Sequence, residues 1–228
     1  MSRRKKLEKF ADLKRFTHVY EMTKPGSPRV IQTLSKQLEI KGKWAEYAFD
    51  NNNPLCVELA CGRGEYTVAL ARKNPDINYV GVDIKGARIW QGATIAQNDN
   101  LVNASFLRIR IEQLEYYFEP KEIDHIWITF PDPFAAKPNR RLTCANMLLK
   151  YHALLKENGH IHFKTDDTPL FDYTLEVLEG LSQYEIIYQS HDIYSADLYN
   201  EDLQIKTYYE RQHLSKGRTI KYLIIKRV

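Results

Sequence analysis

The chain has 228 residues, 43% of them hydrophobic and 27% charged, with a formal net charge of +4. That length and balance suit one substantial folded domain and exclude a disordered chain, and no apolar run approaches the ~20 residues that span a bilayer. Three cysteines without Cys-x-x-Cys spacing, Cys56, Cys61 and Cys144, argue against a zinc site or disulfide framework and fit a reducing compartment.

Residues 1–27 are expected to form a basic N-terminal arm. The first fifteen hold seven Lys or Arg against two acids, and Lys24-Pro25-Gly26-Ser27-Pro28 marks a turn before the folded body. The stretch lacks the apolar core and small-residue cleavage site of a secretory signal, so a cytoplasmic location is expected. Residues 206–228 are also basic, seven against one, leaving a mildly acidic middle. Basic ends suit a polyanionic partner, although a solvated tail and a surface strand give the same composition.

From residue 28 a single domain is expected to run to residue 228. Short β-type runs fall at Leu55–Ala60, Asn78–Asp83, Ser105–Ile109, Asp124–Phe130 and His160–Lys164. Helical stretches lie between them, near Glu65–Lys73, Gly86–Asn98, Ile111–Phe118 and Arg141–Lys156. That alternation predicts an α/β protein with a parallel sheet and helices on both faces. Tyr184–Gln189 and Thr219–Lys226 read as two further strands, separated by one helical stretch around Asp202–His213. Leu214–Arg218 is too short for another helix, so the last strand is expected to enter antiparallel. His125, His160 and His162 sit on strand patterns without ligand spacing, and no metal site is expected.

The first of these strands ends in Val57-Glu58-Leu59-Ala60-Cys61-Gly62-Arg63-Gly64. Glycines at 62 and 64 let the backbone turn sharply and let a ligand lie close over it. Asp83 closes the second strand, placed to accept hydrogen bonds from the vicinal hydroxyls of a ribose. A dinucleotide site wants a third glycine where this chain has Thr67. Glu58 would repel a pyrophosphate but would attract the ammonium of a methionine moiety. The loop resembles motif I of S-adenosylmethionine-dependent methyltransferases, with Ala60 at that motif's usual first glycine.

The fourth strand ends in Ile128-Thr129-Phe130-Pro131-Asp132-Pro133-Phe134. Two prolines stiffen the loop and withhold backbone donors from it, fixing one carboxylate where a crevice opens at the strand ends. By pattern alone this is equally a rigid turn. Lys137, Arg140 and Arg141 follow as a basic cluster suited to phosphates.

Phe130-Pro131-Asp132-Pro133 with Arg140-Arg141-Leu142-Thr143 resembles the signature of the bacterial tRNA (guanine-N7-)-methyltransferases. The likeness extends through Gly81–Arg88, Lys164-Thr165-Asp166 and Thr207-Tyr208-Tyr209-Glu210, the last similar to the family's Thr-x-x-Glu element. It implies a Rossmann-like class I methyltransferase fold of seven mostly parallel strands with an antiparallel last strand. It also implies transfer of a methyl group from S-adenosylmethionine to N7 of a guanine in the tRNA variable loop. On this resemblance Glu58, Gly62, Gly64 and Asp83 hold the cofactor, with Arg110 and Glu112 near the adenine. Asp132 stands beside both cofactor and guanine as the catalytic residue, while Lys137, Asp166, Thr207 and Glu210 contact the tRNA. No membrane association is implied, and the chain is expected to act as a monomer or homodimer. Two rivals remain at this point. One is a methyltransferase of the same fold acting on another substrate; the other is a non-catalytic RNA-binding protein.

Overall fold

The computed structural model describes residues 3–34 and 36–228. The chain opens with α1 (Arg3–Leu13) and three short strands, β1 (Val19–Met22), β2 (Arg29–Gln32) and β3 (Lys36–Glu39). The alternating body follows as β4 (Leu55–Leu59), α2 (Glu65–Lys73), β5 (Asn78–Val82), α3 (Gly86–Asn98) and β6 (Ala104–Arg108). Then come β7 (Ile123–Thr129), α4 (Ala145–Leu154), β8 (Leu155–Thr165), α5 (Thr168–Glu179), β9 (Tyr184–Ser190), α6 (Tyr208–Ser215) and β10 (Lys221–Arg227).

The ten strands of the described residues join one sheet in the order β3-β2-β1-β6-β5-β4-β7-β8-β10-β9. Strands β6, β5, β4, β7 and β8 run parallel, and β10 enters antiparallel between β8 and β9. The α/β class and the antiparallel last strand match the sequence reading. The central strands β4 and β5 are buried along their whole length because helices cover both faces. One face carries α2 and α3 through Tyr66, Leu70, Ile89 and Ala93. The opposite face carries α4 and α5 through Leu148, Tyr151, Leu170 and Phe171.

The strand count departs from the expected seven. Strand β1 pairs parallel with β6, and β2 and β3 add antiparallel outside it. Each has only four residues, too short to show a period of two, yet Val19, Tyr20 and Val30 are fully buried. The stretch expected as an arm therefore contains a strand of the sheet. It also contains α1, which docks on α3: Leu13 is buried, Trp90 Nε1 donates to Asp12 Oδ2 at 3.1 Å, and the Lys9 ammonium sits 4.2 Å from the Trp90 ring centroid. Helix α5 is a second addition. It starts three residues after β8 ends and has a proline in its first turn, which reads as punctuation in sequence. Asp167 caps it by accepting the Leu170 N–H at 2.7 Å. The Ile111–Phe118 stretch forms a 3-10 turn over Ile111–Tyr116 instead of an α-helix.

Candidate active site

Loops at the C-terminal ends of β4, β5, β6, β7 and β8 surround a cleft of about 620 Å³. Parallel strands leave their ligand crevice at this end, where neighbouring loops diverge.

The β4 end supplies one side. Glu58 is buried there; its Oε2 accepts from Thr67 N (2.9 Å) and Thr67 Oγ1 (2.5 Å), and its Oε1 accepts from Thr129 Oγ1 (3.0 Å). Burial pushes its carboxyl up to about 7, while the bonds from Thr67 and Thr129 pull the other way. Thr67, which excluded the dinucleotide pattern, thus holds the carboxylate in place. Its hydroxyl also lies 2.8 Å from where a Cβ on Gly81 would stand, so the side chain at 67 requires glycine at 81. No basic side chain among the described residues pairs with Glu58. A buried carboxylate at the cleft wall without a counter-charge fits a ligand carrying a positive charge.

The loop after β4 places Ala60, Gly62 and Gly64 all at positive φ, 56°, 56° and 68°. Above Gly62 a Cβ would meet nothing nearer than the Ala60 carbonyl at 3.8 Å, so the surface there is open to a ligand. Gly64 differs. A Cβ there would come within 2.6 Å of Phe106, so this glycine serves packing and does not line the cleft. Asp83 ties the loop to β5: Oδ2 accepts from Gly62 N (3.0 Å) and Oδ1 from Lys85 N (2.7 Å). Two of about four lone-pair sites are used, leaving two for a diol. Arg110 and Glu112 line the far end of the cleft and are exposed, close to the apolar side chains Ile84, Ile109 and Ile111.

The opposite wall begins with the Pro131-Asp132-Pro133 tip. Phe130 and Phe134 flank it at φ 50° and 41°, a conformation that bulky side chains rarely adopt and that surrounding contacts must hold. Phe130 N donates to Lys164 O at 2.8 Å, and the Phe130 ring stacks on His213. Arg141 is buried; its Nε donates to Pro133 O at 2.9 Å, and its guanidinium lies 4.2 Å from the Tyr173 ring centroid. It braces the loop from inside, whereas Lys137 and Arg140 are exposed. Asp132 projects exposed into the cleft, and no hydrogen bond or ion pair among the described residues engages its carboxylate.

Asp166 and Thr207 line the same wall. Asp166 Oδ2 accepts from Arg218 Nη1 at 2.5 Å and lies 3.0 Å from His213 Nδ1. Thr207 caps α6, its hydroxyl accepting the Glu210 N–H at 3.1 Å. The cleft thus gathers Glu58, Gly62, Asp83, Arg110, Glu112, Asp132, Asp166 and Thr207, whereas Lys137 stands on the exposed loop outside it. Glu210 also lies outside: it is fully buried, paired with Lys164 Nζ at 2.7 Å, and accepts from Tyr194 Oη at 2.7 Å. Tyr209, a candidate for stacking on a base from its sequence position, lines the cleft, whereas sequence reasoning missed Thr129, His213 and Arg218 there, and Arg63, whose guanidinium sits 4.6 Å from the Tyr208 ring centroid. Thr129 adjoins the Phe-Pro-Asp motif and Arg218 belongs to the basic C-terminal stretch. Only the fold brings them to the carboxylates.

A Rossmann-like sheet with an acid-and-glycine loop after β4, at its centre, defines this protein as a class I S-adenosylmethionine-dependent methyltransferase. The same fold is found in the 16S rRNA methyltransferase KamB, at TM-score 0.64 and 14% identity over 85% of this chain and 96% of that one. A 16S rRNA adenine methyltransferase from Catenulisporales acidiphilia, solved with its cosubstrate S-adenosylmethionine, gives TM-score 0.56 at 15% identity, covering 85% and 94%. A family described as "Putative methyltransferase" matches residues 52–223. The tRNA (guanine-N(7)-)-methyltransferase of Christiangramia forsetii is 42% identical over 99% of both chains. That of Bacteroides thetaiotaomicron is 43% identical over 96% of this chain and 84% of its own. The chain belongs to the tRNA (guanine-N7-)-methyltransferase family. Its cosubstrate is S-adenosylmethionine. Among the described residues no group of His, Cys, Asp or Glu is arranged to hold a metal ion, and no helix is long and apolar enough to cross a membrane.

Proposed function

We infer that this protein methylates N7 of a guanine in the variable loop of tRNA, and that its site of action is the cytoplasm. The unpartnered carboxylate of Asp132, held on a braced loop opposite Glu58 and Asp83, carries this reading.

S-adenosylmethionine supplies an electrophilic methyl group on a sulfonium, which the lone pair of guanine N7 attacks. N7 carries no proton, so no base is required before attack. The protein's task is alignment and charge compensation. Glu58 accepts the ammonium of the methionine moiety, and Asp83 accepts the ribose hydroxyls with its two free lone-pair sites. Arg110 and Glu112 border the adenine end. Asp132 accepts hydrogen bonds from the guanine N1–H and exocyclic amine. It thereby fixes the base plane and offsets the positive charge that develops on the ring as N7 gains the methyl. Asp166 and Thr207 bound the base on the side away from the cofactor, and Lys137 meets phosphate at the rim.

The test is to incubate the protein with labelled S-adenosylmethionine and unmodified tRNA, then cleave at alkali-labile 7-methylguanine. Cleavage at one variable-loop guanine is expected. Label without such cleavage would move the reaction to another atom and defeat this reading.

A further inference from the structure

The Thr207–Glu210 element is split by the fold: Thr207 faces the cleft and Glu210 faces the interior. Glu210 meets Lys164, a β8 side chain that is itself 0% exposed. Lys164 Nζ lies 2.7 Å from Oε1 and 2.9 Å from Oε2 of Glu210. It also donates toward Tyr66 Oη (3.3 Å) and the carbonyls of Ile205 (3.4 Å) and Leu203 (3.5 Å). Tyr194 Oη donates to Glu210 Oε1 at 2.7 Å. One ammonium therefore anchors residues 203–210, the segment that leads into α6 and carries Thr207 and Tyr209 to the cleft. The backbone of the same residue holds the other wall, because Lys164 O accepts the Phe130 N–H at the root of the Asp132 loop. Asp166 stands two residues further along.

We propose that Lys164 and Glu210 form a buried clamp that positions the guanine-facing wall, and that Glu210 acts through Lys164 without touching the RNA. This rests on the guanine N7 reading above. A fully buried ammonium needs its counter-charge, and turning Glu210 into the cleft would strip it away. Tyr66, Tyr194 and two carbonyls complete the cage on the interior side, leaving Glu210 no open face toward the substrate. The clamp couples two walls: a shift of residues 203–210 displaces Thr207, and a shift of β8 displaces both Asp166 and the Asp132 loop.

The experiment measures kcat and KM for tRNA, and Kd for S-adenosylmethionine, in full-length Lys164→Met, Glu210→Leu, the double variant and Tyr194→Phe. Each single change of the pair should lower kcat/KM for tRNA roughly 100-fold, as expected for a misplaced wall, with cofactor Kd within about twofold. An apolar pair of similar volume can replace a buried ion pair, so the double variant should recover to within about tenfold of wild type. A double variant as impaired as Glu210→Leu alone would overturn the proposal, since a missing RNA contact is not restored by changing Lys164. If the pair variants do not fold, Tyr194→Phe decides. Tyr194 does not line the cleft, yet its loss removes a hydrogen bond to the charged clamp and should cost about fivefold in kcat/KM. No change in that variant would also overturn the clamp. Wild-type protein that makes no 7-methylguanine would instead defeat the functional reading and leave the clamp to be judged by the cofactor-independent melting of the same variants, where the double should exceed both singles.

Discussion

On the cofactor side of the cleft, Glu58 is held by Thr67 and Thr129, and Asp83 by the amides of Gly62 and Lys85, within the neighbouring strands β4, β5 and β7 and the loops that follow them. On the guanine side, Asp132 is unengaged, and the wall around it depends on Lys164 with Glu210, Asp166 with Arg218, and Phe130 with His213. The first half is organised by its own hydrogen bonds and presents a buried carboxyl without a basic partner among the described residues. The second half is assembled from segments far apart in sequence, and its Asp132 carboxylate is left exposed to the cleft, where the proposed function places the incoming base. In the proposed function, this contrast separates residues that would set cofactor affinity from residues that would set the rate.

Replacing the free carboxylate should break that separation most visibly. Asp132→Asn keeps size and loop geometry but removes the charge that offsets the developing positive ring. Its kcat should fall about 100- to 1,000-fold, the range for losing one preorganised electrostatic partner, while cofactor Kd stays within about twofold. Single-turnover kinetics with saturating tRNA measure this. Near wild-type turnover would remove Asp132 from the reaction.

On the other half, Glu58→Gln should cost about 30-fold in cofactor affinity, the loss of one charged hydrogen bond, with little change in single-turnover rate at saturation. Its pH behaviour sharpens the point. With its carboxyl pushed from 4.5 up to about 7 by burial, the folded protein holds a proton that the unfolded chain has released across that window. Stability without cofactor should therefore fall as pH rises from about 4.5 to 7, and cofactor affinity should rise over the same span as the charged form becomes available to the ammonium. The Gln variant should flatten both profiles in denaturant titrations and calorimetry. An unchanged affinity profile would separate Glu58 from the cofactor.

The basic N-terminal stretch tests whether the RNA reaches beyond the cleft. Lys14 and Arg15 are exposed beside docked α1, so they can be changed without opening the core that deletion of the stretch would expose through Leu13. Lys14→Ala with Arg15→Ala should reduce the slope of log affinity for tRNA against log salt by about 1.5, because each of the two charges neutralises one phosphate. Filter binding over a salt series reads it. An unchanged slope would leave these charges facing solvent.

The sequence was most informative where structure is local. Strands β4 and β5, helices α2 and α3, and the Glu58 and Asp83 positions follow from periodicity and from one glycine turn. The four-residue strands β1, β2 and β3 have no readable period and exist because β6 offers them an edge. Helix α5 hides behind its first-turn proline. At the site, the spacing Thr207-x-x-Glu210 gives no hint that its two ends face opposite ways. That split is set by a lysine 46 positions upstream of Glu210, and only packing reveals it. Likewise Arg141 looks like a phosphate ligand in a basic run, yet the fold turns it onto the Pro133 carbonyl.

The smallest expected effect concerns Ala60, where the cofactor half is imperfect. At φ 56° its Cβ is strained in a way glycine would avoid, and such a left-handed alanine costs about 1 kcal/mol or slightly more. Ala60→Gly also loosens the unfolded chain, which takes back part of the gain. The net expectation is a stabilisation of about 0.5 kcal/mol with cofactor affinity unchanged within about twofold, read by chemical denaturation and calorimetry. The unchanged affinity matters more than the gain. Gly62 and Asp83 already hold the loop through their own hydrogen bond, so the turn should keep its shape whether or not residue 60 carries a methyl group. A large change in affinity would mean that the Ala60 side chain itself forms part of the cofactor surface, and that the more fully preorganised half of the cleft still depends on one strained residue.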